Sequence, residues 1–160
     1  MERSMQTQVR AFQPQDQDAV QQLQLAKHQS MFAMPFDQFL VTTPGEFDGF
    51  VIEYDSSVVG CFMIDTTYAK KMDFCESSGL GLRNVLIDHR MQGKGIGVQA
   101  IISLLNKMKS LYPDHNQLYL TVNCRNGSAI KCYIKAGFVD TGELYLGGDA
   151  GPQHIMKASF

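Results

Sequence analysis

Residues 80–123 spell a strand, a helix and a second strand in immediate succession, and that order constrains the architecture of this chain more than any other feature. Residues 80–87 run Leu-Gly-Leu-Arg-Asn-Val-Leu-Ile, rich in aliphatic side chains as a buried strand requires. Residues 95–111 then place Ile101, Leu104, Leu105, Met108 and Leu111 on one helical face, with Gln99, Ser103, Asn106 and Ser110 opposite, until Pro113 stops the run. Residues 117–123 alternate as a strand again. Two strands joined by a helical crossover lie parallel in one sheet, so the unit is βαβ.

The flanking segments extend this sheet. A short strand is expected over 8–12, followed by a helix opened by Pro14 and Asp16, with Val20, Leu23 and Ala26 or Lys27 at helical spacing. A second amphipathic stretch, 30–40, is broken by Pro35 and runs into the turn Thr42-Thr43-Pro44-Gly45. Residues 50–54 and 58–64 form an antiparallel hairpin about Asp55-Ser56-Ser57, and 66–78 read as loop. A helix over 128–136 has Asn126 as its cap and Gly137 as a left-handed terminator, and strands over 138–146 and 154–159 close the sheet. The length of 160 residues suits one domain. The expected fold is a single α/β domain over 1–160, with a central mixed, twisted sheet flanked by helices.

Charge and composition remove several function classes. Fourteen Lys and Arg against sixteen Asp and Glu give a net charge of −2 without a basic block, so the phosphate-binding footprint of a nucleic-acid protein is missing. The first residues, Met-Glu-Arg-Ser-Met-Gln-Thr-Gln, have no apolar leader, and no run of about 18 apolar residues follows. A cytoplasmic protein that neither spans a membrane nor binds nucleic acid is expected. Cys61, Cys75, Cys124 and Cys132 lack C-x-x-C spacing, and His28, His89, His115 and His154 lack ligand spacing, so neither a disulfide nor a metal is expected.

Chemistry concentrates between the strand ending at Ile87 and the following helix, in Asp88-His89-Arg90-Met91-Gln92-Gly93-Lys94-Gly95-Ile96-Gly97. Three alternate glycines remove the Cβ atoms that would hold an anion off the backbone N–H groups, and the helix N-terminus adds unpaired donors and a positive dipole end. The loop suits a phosphate or pyrophosphate. It is not a P-loop: Asp88 stands at the first glycine position and Gly95 follows Lys94. Gly95, Gly97 and Ala100 meet the dinucleotide pattern G-x-G-x-x-A, but 117–123 carries no acidic residue for a ribose.

Gln92, Gly95 and Gly97 also meet Q/R-x-x-G-x-G/A, and here the chain resembles the GCN5-related N-acetyltransferase (GNAT) superfamily. The resemblance continues through Asn126, Ala129, Tyr133, Gly137 and Phe138, which match N-x-x-A-x-x-x-Y-x-x-x-G-F. It covers residues 80–140 strongly, and around Gln92 and Tyr133 it is similar to the bacterial polyamine (spermine/spermidine) acetyltransferase branch. The resemblance implies a GNAT fold and transfer of acetyl from acetyl-CoA, as cosubstrate, to the primary amine of a small molecule of the polyamine type. It implies that the cofactor's pantetheine arm runs along the backbone of Val85 and Ile87. The pyrophosphate would meet the N–H groups of Gln92, Gly93, Lys94, Gly95, Ile96, Gly97 and Val98. Asn126 would touch the pantetheine, and Tyr133 would stand near the sulfur as general acid. On its own residue chemistry, Tyr133 reads as core with its hydroxyl tied to a carbonyl.

Many members of the family carry a base six residues ahead of the position of Ile87, but that residue is Gly81 here. Glu53, Asp65, Asp73, Glu76 and Asp149 are the alternatives, and the sequence does not choose among them. Carboxylates for a distal ammonium would come from Glu46, Asp48, Asp73, Glu76 and Asp149, whereas Phe32, Phe36 and Phe39 would suit an aryl-alkylamine. An amino-acid or protein amine, a noncatalytic acyl-CoA-binding sensor, a nucleotide-binding regulatory domain and a homodimer stay open.

Overall fold

Strand β3 (Ser57–Asp65) is buried without interruption along residues 59–65, because both faces of the sheet are covered at its centre. The structure is a computed structural model and describes residues 6–23 and 45–160. In chain order β3 is preceded by β1 (Thr7–Ala11), α1 (Gln17–Gln21) and β2 (Phe47–Tyr54). It is followed by α2 (Tyr68–Lys71), β4 (Gly79–Ile87), α3 (Ile96–Leu111), β5 (Gln117–Asn123), α4 (Gly127–Ala136), β6 (Val139–Tyr145) and β7 (Gln153–Ser159). One seven-stranded sheet runs β1-β2-β3-β4-β5-β7-β6. All neighbours are antiparallel except β4 and β5, which are parallel as the crossover helix α3 demands.

The period-two alternation of the strands divides the apolar residues between the two faces. Phe50 and Ile52 of β2 and Phe62 and Ile64 of β3 join Ile96, Ala100, Ile101, Leu104 and Met108 of α3 in one core. Val51, Cys61, Met63 and Leu86 join Val20 of α1 in a second, smaller cluster. A third, of Tyr68, Cys75, Tyr119 and Ile155, lies under α2.

Most expected elements appear within a residue or two. The helix after Pro14 is shorter than expected: a 3₁₀ turn over Pro14–Asp16 leads into α1, which ends at Gln21. Leu23 then donates its N–H to the Val20 carbonyl and packs into the second cluster, and the expected continuation to Lys27 lies outside the described residues. The broken stretch 30–40, with Phe32, Phe36 and Phe39, also lies outside them. Within 66–78, expected as loop, α2 forms a single helical turn. One turn is too short to show an amphipathic period; burial of Tyr68 and the ion pair of Lys71 with Asp65 hold it in place.

Candidate active site

The parallel pair β4–β5 opens almost as soon as it forms. Only Gly79–Gln117, Leu80–Leu118 and Gly81–Tyr119 are paired, although β4 continues to Ile87 and β5 to Asn123. A cleft between two central strands results, with the glycine loop at its β4 end. On the other side β4 stays joined to β3: Asp88 N–H donates to the Val59 carbonyl at 2.8 Å, and the Leu86 carbonyl lies against Gly60. Alternate residues of an antiparallel ladder face the same way, so Val85 and Ile87 direct their backbone groups away from β3, into the opening. The Ile87 carbonyl accepts from Gln92 Nε2 at 3.3 Å.

The ladder between β3 and β4 is itself irregular. Gly60 and Cys61 pair with Ile87 and Leu86, and Met63, Ile64 and Asp65 with Arg83, Leu82 and Gly81, so Asn84 and Val85 together face Phe62. Asn84 is left-handed, with φ of +55°. Phe62 is fully buried and stacks on Phe50 with ring centroids 5.2 Å apart.

Asp88 builds the turn that follows. Its buried carboxylate accepts from Arg90 N–H and Nε at 2.9 Å and from Arg90 Nη2 at 2.6 Å, fixing the 3₁₀ turn His89–Met91. Gly93 and Gly95 then take φ of +81° and +76°, and a Cβ on either would meet nothing within 4 Å. They are needed for backbone conformation and leave open space above the loop. Gly97 differs from the expectation that all three make room for an anion: its Cβ would lie 3.1 Å from both Cys132 Sγ and Ile87 Cδ1, so it is a packing glycine between α3, α4 and β4. The first intrahelical bond of α3 runs from Gln99 to Gly95, so Ile96, Gly97 and Val98 present N–H groups with no carbonyl one turn back. Lys94 is exposed beside them.

On the β5 side, Asn126 caps α4 by accepting from Ala129 N–H at 3.4 Å. Tyr133 is half-buried on α4, edge-on to Phe138 with centroids 5.7 Å apart. Among the described residues its hydroxyl has no hydrogen-bond partner, so the tie to a carbonyl expected of a core tyrosine is not made. Burial pushes its pKa well above the ordinary phenol value, which keeps the hydroxyl protonated at neutral pH. At the end of β5, buried Asn123 donates to the Ala150 carbonyl at 2.9 Å and accepts from Arg125 N–H, tying the loop between β6 and β7 to this end of the cleft.

The carboxylates considered as bases separate clearly. Glu53 pairs with Arg10 at 3.1 Å on β2, two strands from the opening. Asp65 is fully buried and bound by Arg83 at 2.8 Å, Lys71 at 3.0 Å and the N–H and hydroxyl of Thr67 at 2.9 Å. Burial alone would raise its pKa, but these donors outweigh it and hold the carboxylate below its ordinary value, which suits an anchor and not a base. Glu46 is engaged by Lys71 and Thr67, and Asp48 accepts from the Tyr112 hydroxyl at 2.6 Å. Asp73, Glu76 and Asp149 are exposed. Two neighbours of the cleft escaped the sequence reading: Tyr68, and Asn84, whose presence in an aliphatic strand was the available sign of a bulge.

A central sheet parted at one parallel pair, with a glycine loop and helix N-terminus at the gap, makes a site for an extended ligand with an anionic group. The chain belongs to the acetyltransferase (GNAT) family, whose model matches residues 8–138. It is 31% identical over 99 residues to the spermine/spermidine N(1)-acetyltransferase of Bacillus subtilis, and the match spans 60% of this chain and 62% of that relative's length. Among solved structures it is similar to the aminoglycoside acetyltransferase AAC(6')-Ib in complex with ribostamycin and coenzyme A, with a TM-score of 0.77, 16% identity and coverage of 96% of this chain and 93% of that one. The spermidine N-acetyltransferase of Vibrio cholerae in complex with CoA and spermine gives 0.70 at 18% identity, covering 96% and 95%. At these identities the two structures share the fold.

Proposed function

We propose that the chain transfers acetyl from acetyl-CoA to a primary amine of a small polyamine. The observation that carries this reading is the divergence of β4 from β5 after three residue pairs, directly ahead of the glycine loop. The residues fit acetyl-CoA: the backbone of Val85 and Ile87 is directed into the gap, the space above Gly93 and Gly95 is open, and the N-terminus of α3 offers donors to a pyrophosphate. Gln92, Lys94, Ile96, Gly97 and Val98 line that end, and Asn126 stands across the gap at the head of α4.

When bound, acetyl-CoA supplies a thioester carbonyl to be attacked by the neutral amine. The chain's residues orient the reactants and move protons. Tyr133 holds a proton on its hydroxyl at neutral pH and gives it to the departing thiolate as the C–S bond breaks. An alkylammonium with a pKa of about 10.4 must lose its proton first, and Asp73, Glu76 and Asp149 are the exposed carboxylates left to receive it, directly or through water. The same three would attract the distal ammonium of a polyamine. In this reading residues 1–160 act as one domain in the cytoplasm, on a small molecule and without nucleic acid or a membrane.

The polyamine choice is supported by the Bacillus relative, which carries that activity in its name. Thermal-shift comparison of acetyl-CoA, NAD and ATP tests the cosubstrate; stabilisation by acetyl-CoA alone is expected, and equal stabilisation by NAD would return the loop to the dinucleotide reading. Thiol release with spermidine, putrescine, an aryl-ethylamine, an aminoglycoside, amino acids and a lysine peptide then tests the acceptor. Spermidine should lead at low salt and lose its advantage as salt rises. An aryl-ethylamine preference without a salt effect would overturn the polyamine assignment, and binding of acetyl-CoA without turnover of any amine would favour a sensor.

A further inference from the structure

Asn84 combines two unfavourable features at one position. Its backbone is left-handed at the β4 bulge, and its side-chain Nδ2 is buried with no hydrogen-bond partner among the described residues. A buried donor without an acceptor destabilises a fold, as does a non-glycine residue held at positive φ. Glycine at this position would avoid both. The bulge is itself firmly set, because the facing residue Phe62 is fully buried and stacked on Phe50. What an amide adds here is therefore a donor, three residues beyond Gly81, where the β4–β5 pairing ends.

The location says which acceptor fits that donor. An extended arm that starts at the N-terminus of α3 and follows β4 past Ile87 and Val85 reaches Asn84 next, about 10 Å along the strand from Ile87 at roughly 3.3 Å per residue. In the acetyl-CoA reading, on which this inference rests, the end of that arm is the acetyl thioester. Its carbonyl oxygen is a hydrogen-bond acceptor there. We propose that the side-chain amide of Asn84 donates to the thioester carbonyl oxygen of bound acetyl-CoA and polarises it for attack.

The bond changes are simple. The amine nitrogen forms a bond to the carbonyl carbon while the C=O π pair moves onto oxygen, and that pair re-forms the carbonyl as the C–S bond breaks. The base takes one proton from the ammonium before attack, and the thiolate takes a proton from Tyr133 as the C–S bond breaks. The second proton, lost by the nitrogen as the amide forms, returns through water to Tyr133. Asn84 keeps both amide protons throughout; its hydrogen bond strengthens while the oxygen carries charge, so its effect falls on kcat more than on binding.

Asn84→Gly removes the donor while easing the backbone, so the free variant should melt no lower than wild type. Its Kd for acetyl-CoA should stay within about threefold, while kcat falls by roughly 10- to 10³-fold. The carbonyl stretch of bound acetyl-CoA labelled with ¹³C at the carbonyl should move to higher frequency than in wild type, because the hydrogen bond is gone. Asn84→Asp keeps the shape and tolerance of positive φ but replaces the donor by an acceptor, and it should lose at least as much kcat with the same direction of spectral shift. An unchanged stretch in a folded variant overturns the proposal, whether kcat is retained or lost. Failure of the wild-type protein to bind acetyl-CoA would instead remove the reading beneath it, and the binding measurement is made first for that reason.

Discussion

The ring of Tyr68 lies across the α-carbon of Gly81, so closely that a Cβ at Gly81 would fall inside it. Tyr68 is almost fully buried and receives the guanidinium of Arg83 over its ring at 4.9 Å. The position on β4 where the family resemblance implied a carboxylate is filled here by the ring of Tyr68 from α2.

Restoring a side chain at that place should harm the protein. Gly81→Ala should destabilise by about 2–3 kcal/mol through overpacking against Tyr68, and Gly81→Glu should fold poorly and gain no activity. In a double-mutant cycle, Tyr68→Ala should recover part of the Gly81→Ala loss, measured by denaturant unfolding. Strict additivity would show that the two residues do not share this space.

Acid should unfold the chain through its anchored carboxylates. Asp65 and Asp16 both sit below their ordinary pKa; for Asp16 the Arg10 hydrogen bonds dominate. A depressed folded pKa adds stability above the unfolded value of about 4, and that stability is lost as pH falls through the folded value. Thermal melting should therefore hold steady from neutral pH to about 5 and drop below about 4. Asp65→Asn should cost about 2–3 kcal/mol at pH 7 and flatten the acid limb, less than for a fully enclosed pair because Arg83 and Lys71 keep 27% and 32% exposure. An unchanged limb would remove Asp65 from this role.

Charge at the glycine loop can be separated from backbone strain. Asparagine and aspartate have similar shapes and both tolerate positive φ better than other side chains. Gly95→Asn should weaken acetyl-CoA binding little, whereas Gly95→Asp should weaken it by about tenfold or more, or about 1.4 kcal/mol. Equal effects of the two, measured by calorimetric titration, would place the pyrophosphate elsewhere.

Tyr133→Phe keeps the ring against Phe138 and removes the proton. It should lower kcat by roughly 10²- to 10⁴-fold while acetyl-CoA affinity and melting temperature change little. Because burial raises its pKa, the wild-type rate should show no alkaline decline from this residue up to pH 9. Retention of most of kcat would make Tyr133 a packing residue only.

The βαβ unit, the glycine loop and both ends of α4 were legible because each rests on local chemistry: a helical period, an N-cap at Asn126, a left-handed Gly137. The hairpin of β2 and β3 was legible for the same reason. What stayed hidden depends on contacts distant in sequence. Asp65 looks like any strand-end acid until Arg83, eighteen residues on, closes over it. Gly97 looks like a third loop glycine until Cys132 and Ile87 arrive beside it. Tyr68 and Gly81 sit in different elements, and nothing in either stretch announces that one occupies the other's space.

Three residue pairs hold the two halves of the sheet edge to edge, with β1 to β4 on one side and β5, β7 and β6 on the other. A molecule that lies between the halves and touches both serves as mortar as well as reactant. At a concentration 100 times its Kd it would add about 2.7 kcal/mol to the cohesion of the fold. With acetyl-CoA in this seam, as proposed, the durability of the whole sheet would depend on how well the protein is supplied with its own cosubstrate.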